Sequence, residues 1–127
     1  MAIFQTRAVF LAGFTSLLLA ANVAVAAESK PVAYAIVEVD VRQPEPFAKE
    51  FFPVVTKVFA AAGATFVVKP SAPVAVDDIP PKRVAILRFD SVDQAAATFA
   101  SQAYRDARKI GDQYASFRIF IVQSTSP

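Results

Sequence analysis

Residues Pro81 to Tyr104 read PKRVAILRFDSVDQAAATFASQAY. Arg83 to Phe89 alternates as a strand, with Ala85, Leu87 and Phe89 on one face and Val84 and Ile86 on the other. Ser91 and Gln94 fit a capping box, which opens a helix. The apolar face of that helix is Val92, Ala96, Phe99, Ala103, Ala107 and Ile110, and Gly111 ends or interrupts it. A strand that runs directly into an amphipathic helix is the first half of a β-α-β unit.

The flanking segments complete the pattern. Val32 to Val41 alternates, with Ala33, Ala35, Val37, Val39 and Val41 on one face and Tyr34, Ile36, Glu38 and Asp40 on the other. Pro44 and Pro46 suit the first turn of a helix. Phe47, Phe51, Val54, Val55, Val58 and Ala62 then recur at helical spacing. Pro53 should kink or split that helix, since it has no donor and clashes with the preceding turn. Gly63 is the natural stop, free to take positive φ. Thr65 to Lys69 reads as a second strand. Pro70 to Lys82 holds four prolines and two aspartates and reads as a loop, with room for a short strand at Val74 to Val76. Phe117 to Val122 is the last strand. The order βαββαβ predicts an α+β, ferredoxin-like protomer, a four-stranded antiparallel sheet with two helices on one face.

Residues 1–26 read as a signal peptide, leaving one domain over 27–127. Arg7 precedes an apolar run from Ala8 to Ala21, and Ala24-Val25-Ala26 supplies small residues for cleavage. The competing reading is an uncleaved anchor, because the apolar stretch approaches bilayer length. Cleavage predicts an exported protein, periplasmic or secreted, with no stable membrane anchor. The chain has no cysteine and no histidine. Stability must then come from burial alone. The commonest general base and metal ligand is missing, which excludes triads and imidazole-bound zinc or haem as ordinary readings. Of 13 basic residues one is Arg7, so the mature chain carries 12 against 11 acidic. These charges are interspersed, so no nucleic-acid footprint is expected. No cofactor is expected either. There is no glycine-rich phosphate loop, and reduced nicotinamide or flavin is not regenerated outside the cytoplasm. Asp77 and Asp78 read as a solvated turn, and no metal is expected there.

The strands are apolar on both sides, whereas an antiparallel sheet with a solvated face alternates apolar with polar. The face without helices should therefore meet another sheet, most simply that of a second copy.

Ala33-Tyr34-Ala35-Ile36, Phe47-Ala48-Lys49-Glu50-Phe51, Gly63, Pro81 to Phe89 with Ser91, and Phe99 to Tyr104 resemble the family called domain of unknown function thirteen-thirty, in the dimeric α/β-barrel superfamily. The resemblance spans nearly all of the mature chain. It implies a homodimer closed through sheet faces into a barrel. It implies no established activity, although relatives in the superfamily act on small aromatic or quinone-like molecules. The chain departs from the family at Phe47, Phe51, Ala64, Lys69, Asp90 and Ala103. It also lacks an arginine expected near Gly111, for which Arg108 is a substitute in a different register.

Candidate ligand-binding residues are Arg83, Arg88, Tyr104, Tyr34 and Ser101. Arg83 could hold a carboxylate or phosphate with its fork, or pair with Asp78 or Asp40. Arg88 shares a face with Val84 and Ile86, and a charge there must be paired or hydrated; Glu38 is the expected partner. Ser101 and Tyr104 lie three apart on one helix. Ser101 has no histidine to activate it; Lys69 or Lys109 could serve as the base, but nothing in the spacing requires it, and Ser101 reads better as a hydrogen bond to the helix backbone or a partner strand. Core packing competes for Tyr104 and Tyr34. No catalytic residue is assigned. The functional expectation is a small apolar or aromatic acidic ligand, possible cofactor-independent activity included. The alternative is a non-catalytic structural module of the cell envelope.

Overall fold

The structure is a computed structural model that describes residues 30–126. The signal peptide expected over residues 1–26 lies outside the described residues. Four strands form one antiparallel sheet in the order β2-β3-β1-β4. They are β1 (Ala33–Val41), β2 (Thr65–Ser71), β3 (Arg83–Phe89) and β4 (Ala115–Gln123). Helices α1 (Pro44–Pro46), α2 (Phe52–Ala61), α3 (Val92–Ala100) and α4 (Gln102–Gly111) accompany them. The α+β ferredoxin-like architecture predicted from the strand and helix order is the one observed.

β1 pairs with β3 and β4 along almost its whole length, from Ala33 opposite Phe89 and Gln123 to Val39 opposite Arg83 and Phe117. Ala33, Ala35, Val37 and Val39 are buried on one face with Ala85, Leu87 and Phe89. The alternate residues Tyr34, Ile36, Glu38 and Asp40 take the other face and are half-buried. β2 is an edge strand with register shifts on either side of Val68. It runs through Pro70 to Ser71, past the end expected at Lys69. Proline is tolerated there because an edge strand has donors to spare. The segment Val74 to Val76 forms no strand, and Val76 is 99 % exposed.

Pro53 splits the first helix as expected. Between α1 and α2 the residues Phe47–Phe51 form a wider π-type turn, in which the Phe52 N–H donates to the Phe47 carbonyl. Widening the turn removes the clash that a proline would force on a regular α-helix. α2 closes on Gly63 at φ +75°, with Ala64 N–H donating to the Phe59 carbonyl at 2.9 Å.

The second helix is two helices. Ser101 is extended (φ −68°, ψ 152°) and caps α4. α3 buries Ala95 and Thr98, and after the break α4 buries Tyr104, Ala107 and Gly111, while Val92, Ala96 and Ala103 are exposed. The single stripe expected from Val92 to Ile110 is thereby corrected. Ser91 does cap α3, accepting from Gln94 N at 3.0 Å, while the Gln94 side chain reaches back to Asp90 N at 3.0 Å.

Aromatic rings tie the helices to the sheet. Phe59 of α2 has its ring centroid 6.0 Å from Phe66, 5.8 Å from Phe99 and 6.0 Å from Tyr104. Phe51 lies 5.1 Å from Phe47 and 5.3 Å from Phe117. Each such pair contributes about 0.5–1.5 kcal/mol beyond its buried area. Gly111 admits the Phe51 ring, since a Cβ there would meet that ring at 2.7 Å and Phe117 at 3.1 Å.

Gly111→Ala should therefore cost a net of about 1–2 kcal/mol in urea unfolding, overpacking outweighing the gain in helix propensity. Adding Phe51→Leu should recover part of the loss. A Gly111→Ala protein as stable as the parent would contradict this packing.

Candidate functional site

The five residues singled out from the sequence do not converge. Tyr34 and Arg88 stand opposite each other on β1 and β3, on the sheet face that carries no helices. Arg88 turns outward to Asp90 at 3.5 Å. Its expected partner, Glu38, is gripped instead by Arg118, whose Nη2 donates to Oε1 at 2.8 Å while its Nε donates to Oε2. The register explains the correction. Glu38 lies directly across from Arg118, whereas Arg88 is four residues farther along β1, about 13 Å away at strand spacing. The Arg118 hydrogen bond holds the Glu38 carboxyl below its ordinary pKa.

Arg83 has the same parity as Ala85 and Leu87 and so belongs to the helix side of the sheet, at the opposite end of β3 from Arg88. It pairs with neither expected acid. Asp40 is on the open face and takes Lys82 at 3.2 Å, because residues 82 and 83 point to opposite sides. Asp78, at φ +59°, uses its Oδ1 to accept from Ile79 N at 2.7 Å.

Ser101 is consumed by the helix break. Its Oγ accepts from Tyr104 N at 3.2 Å and donates to the Thr98 carbonyl at 2.6 Å. Tyr104 is 6 % exposed and belongs to the core. Its hydroxyl accepts from Arg108 Nη1 at 3.4 Å, and burial pushes the phenol above its ordinary pKa. Arg108 also donates to Asp112 at 2.6 Å and lies 4.3 Å over the Phe117 ring. Tyr114 donates to Glu50, tying the start of β4 to the π-type turn.

The space between sheet and helices is nearly filled. About 30 Å³ remains among Val37, Phe47, Phe51, Phe59, Leu87, Tyr104 and Phe117, enough for one or two waters. A larger recess of about 280 Å³ lies at the margin, lined by Val41, Pro44, Phe47, Ala48, Phe52, Lys69, Pro70 and Arg83. Phe47, Phe52 and Pro70 also line the interior, so they partition the two spaces. Lys69 is the residue the sequence reading passed over as a ligand group. The available signal was its place at the end of β2, with Arg83 at the start of the antiparallel neighbour β3. Another recess, about 380 Å³, opens at the β4 edge beside Phe99, Tyr104, Arg108 and Phe120, where Arg108 is already paired. Among the described residues no group of three or more acids is placed to hold a metal ion.

The family described as Domain of unknown function (DUF1330) matches residues 32–125. No curated protein matches the chain. Among solved structures, a protein of unknown function from Rhodopseudomonas palustris is 19 % identical, with a TM-score of 0.58 over 77 % of this chain and 85 % of that one. SnoaB, a cofactor-independent oxygenase from Streptomyces nogalater, is 13 % identical, with a TM-score of 0.48 over 77 % of this chain and 96 % of that one. The Rhodopseudomonas palustris structure is a likeness of fold alone.

The buried phenol gives a pH dependence. The folded pKa of Tyr104 lies above the unfolded value near 10, so its contribution to stability is fully present below about pH 10 and is lost as pH rises through the folded pKa. Unfolding free energy should fall on alkaline titration, and Tyr104→Phe should fall less steeply. Identical alkaline slopes for the two proteins would contradict a buried, neutral Tyr104.

Proposed function

This chain belongs to the DUF1330 family, and we propose that it is an exported, homodimeric binding protein for a small apolar or aromatic acid. Export rests on the leader-like pattern of residues 1–26. The observation that carries the binding reading is the contrast between a filled interior and open margins. A space of about 30 Å³ admits no organic reactant between sheet and helices, while recesses beside it carry Arg83 and Arg108.

The dimer reading is supported by the open sheet face. Tyr34, Ile36, Val84 and Ile86 lie on it half-buried, and Phe120 and Val122 are 43 % and 44 % exposed. Four strands over seven residues cover roughly 450 Å² in projection. Charged pairs occupy part of that area, and the apolar centre formed by Tyr34, Ile36, Val84, Ile86, Phe120 and Val122 is the kind of contiguous exposed patch that marks a contact surface. The β2–β3 loop enlarges it, since Ile79 to Lys82 border a recess with Glu38, Asp40, Ser116 and Arg118, and Val74, Val76 and Ile79 are almost fully exposed. A second copy laid face to face satisfies both surfaces.

The alternative, a structural module of the cell envelope, is favoured by the same exposed loop, which offers apolar contacts without a ligand. A thermal-shift panel of small aromatic acids against the full chain separates the two. At least one acid should raise the midpoint, and a panel without effect would leave the structural reading. In sedimentation the unmodified protein should run as a dimer of roughly 1,500–2,500 Å² buried area. Ile86→Glu should give monomer or aggregate, because it would bury an unpaired charge. A folded monomer at micromolar concentration for the unmodified chain would defeat the dimer.

A further inference from the structure

We propose that the recess between β2, β3 and α1 is a binding site for a small monocarboxylate with a single ring or short chain. In this site Arg83 and Lys69 take the carboxylate, and Phe47 and Phe52 take the apolar body. The inference deepens the binding reading above and rests on it.

Four observations converge. Arg83 and Lys69 both line the recess, no acid lines it, and among the described residues neither makes an ion pair or a side-chain hydrogen bond. The nearest acid in sequence on α1, Glu45, is engaged by Lys49 at 2.7 Å. The remaining lining side chains are apolar, so the site matches an amphipathic anion rather than a free inorganic one. At about 280 Å³ it stands at the lower end of ligand pockets, which limits the guest to a small molecule. The rim is also preformed. Phe47 and Phe52 bracket the π-type turn and are joined by its hydrogen bond, and such turns recur at functional sites. Arg83 supplies the planar fork that fits a carboxylate, and Lys69 a second, compact charge.

The test is calorimetric titration of the full-length dimer with benzoate, hexanoate, their neutral amides and inorganic phosphate. Benzoate or hexanoate should bind, with its amide at least about tenfold weaker. Arg83→Met and Lys69→Met should each weaken binding about tenfold and together about a hundredfold, since each removes one charge-assisted hydrogen bond. Ala48→Trp should abolish binding by filling the recess with both charges left in place. Lys57→Met, exposed on α2 and outside the recess, should leave affinity unchanged. Sedimentation and thermal midpoint establish that each variant is folded. Carboxylate binding that survives the double substitution would overturn this site and leave the binding reading standing. Absence of binding by every carboxylate would overturn both. Phosphate binding as tightly as benzoate, or amides as tightly as acids, would overturn the assignment of ligand class.

Discussion

β1 is hydrogen-bonded on both sides, and its side chains alternate between an apolar helix side and an open face of mixed character. That double commitment governs the rest of the molecule. Ala33 and Ala35 are fully buried and small, so helices can lie close over them. A slip of one residue would drive Tyr34, Glu38 and Asp40 under the helices and expose the alanines and valines, which fixes the register. Once the odd residues face the helices, Tyr34 and Ile36 necessarily face away, beside Ile86 and Phe120. The proposal of a second covering layer rests on this alternation. The polar residues on that face fall toward its ends, Glu38 with Arg118 at one and Arg88 with Asp90 at the other.

On the helix side the limiting factor is ring volume. Phe47, Phe51, Phe59, Phe66, Phe99 and Phe117 bridge helices and sheet, and Gly111 is small so that Phe51 can enter. This packing leaves room for water and little else. The open space lies at the margin, where the π-type turn that precedes Pro53 sets Phe47 and Phe52 in one recess with Arg83 and Lys69. The proline that interrupts the regular helix and the recess proposed as a binding site thus meet in one local feature. The same crowding explains why Tyr104 serves the core, its hydroxyl satisfied by Arg108.

Features set by near neighbours in the chain were legible in the sequence. The four strands, the stop at Gly63, the split at Pro53 and the cap at Ser91 each follow from a few adjacent residues. Features set by distant pairing were not. Glu38 meets Arg118, 80 positions away, only because β4 docks beside β1 in one register; Arg88 was the nearer guess and the wrong one. Ser101 makes the backbone hydrogen bonds expected of it, but the helix break at that residue escaped, because an apolar stripe can be drawn straight through it. Arg83 and Lys82 could have been separated by parity alone, which assigns Lys82 to Asp40 and frees Arg83 for the helix side. Val74 and Val76 have strand-like character but no strand beside them, and propensity without a pairing partner yields a loop.

The central claim is that the second face of the sheet is covered by another copy of the chain. The most direct measurement is the thermal midpoint as a function of protein concentration. For a dimer that unfolds to monomers, mass action raises the midpoint by about 3–5 °C for each tenfold increase in concentration at this chain length. A midpoint independent of concentration from low micromolar to millimolar protein would mean that folding does not depend on association, and would contradict the account.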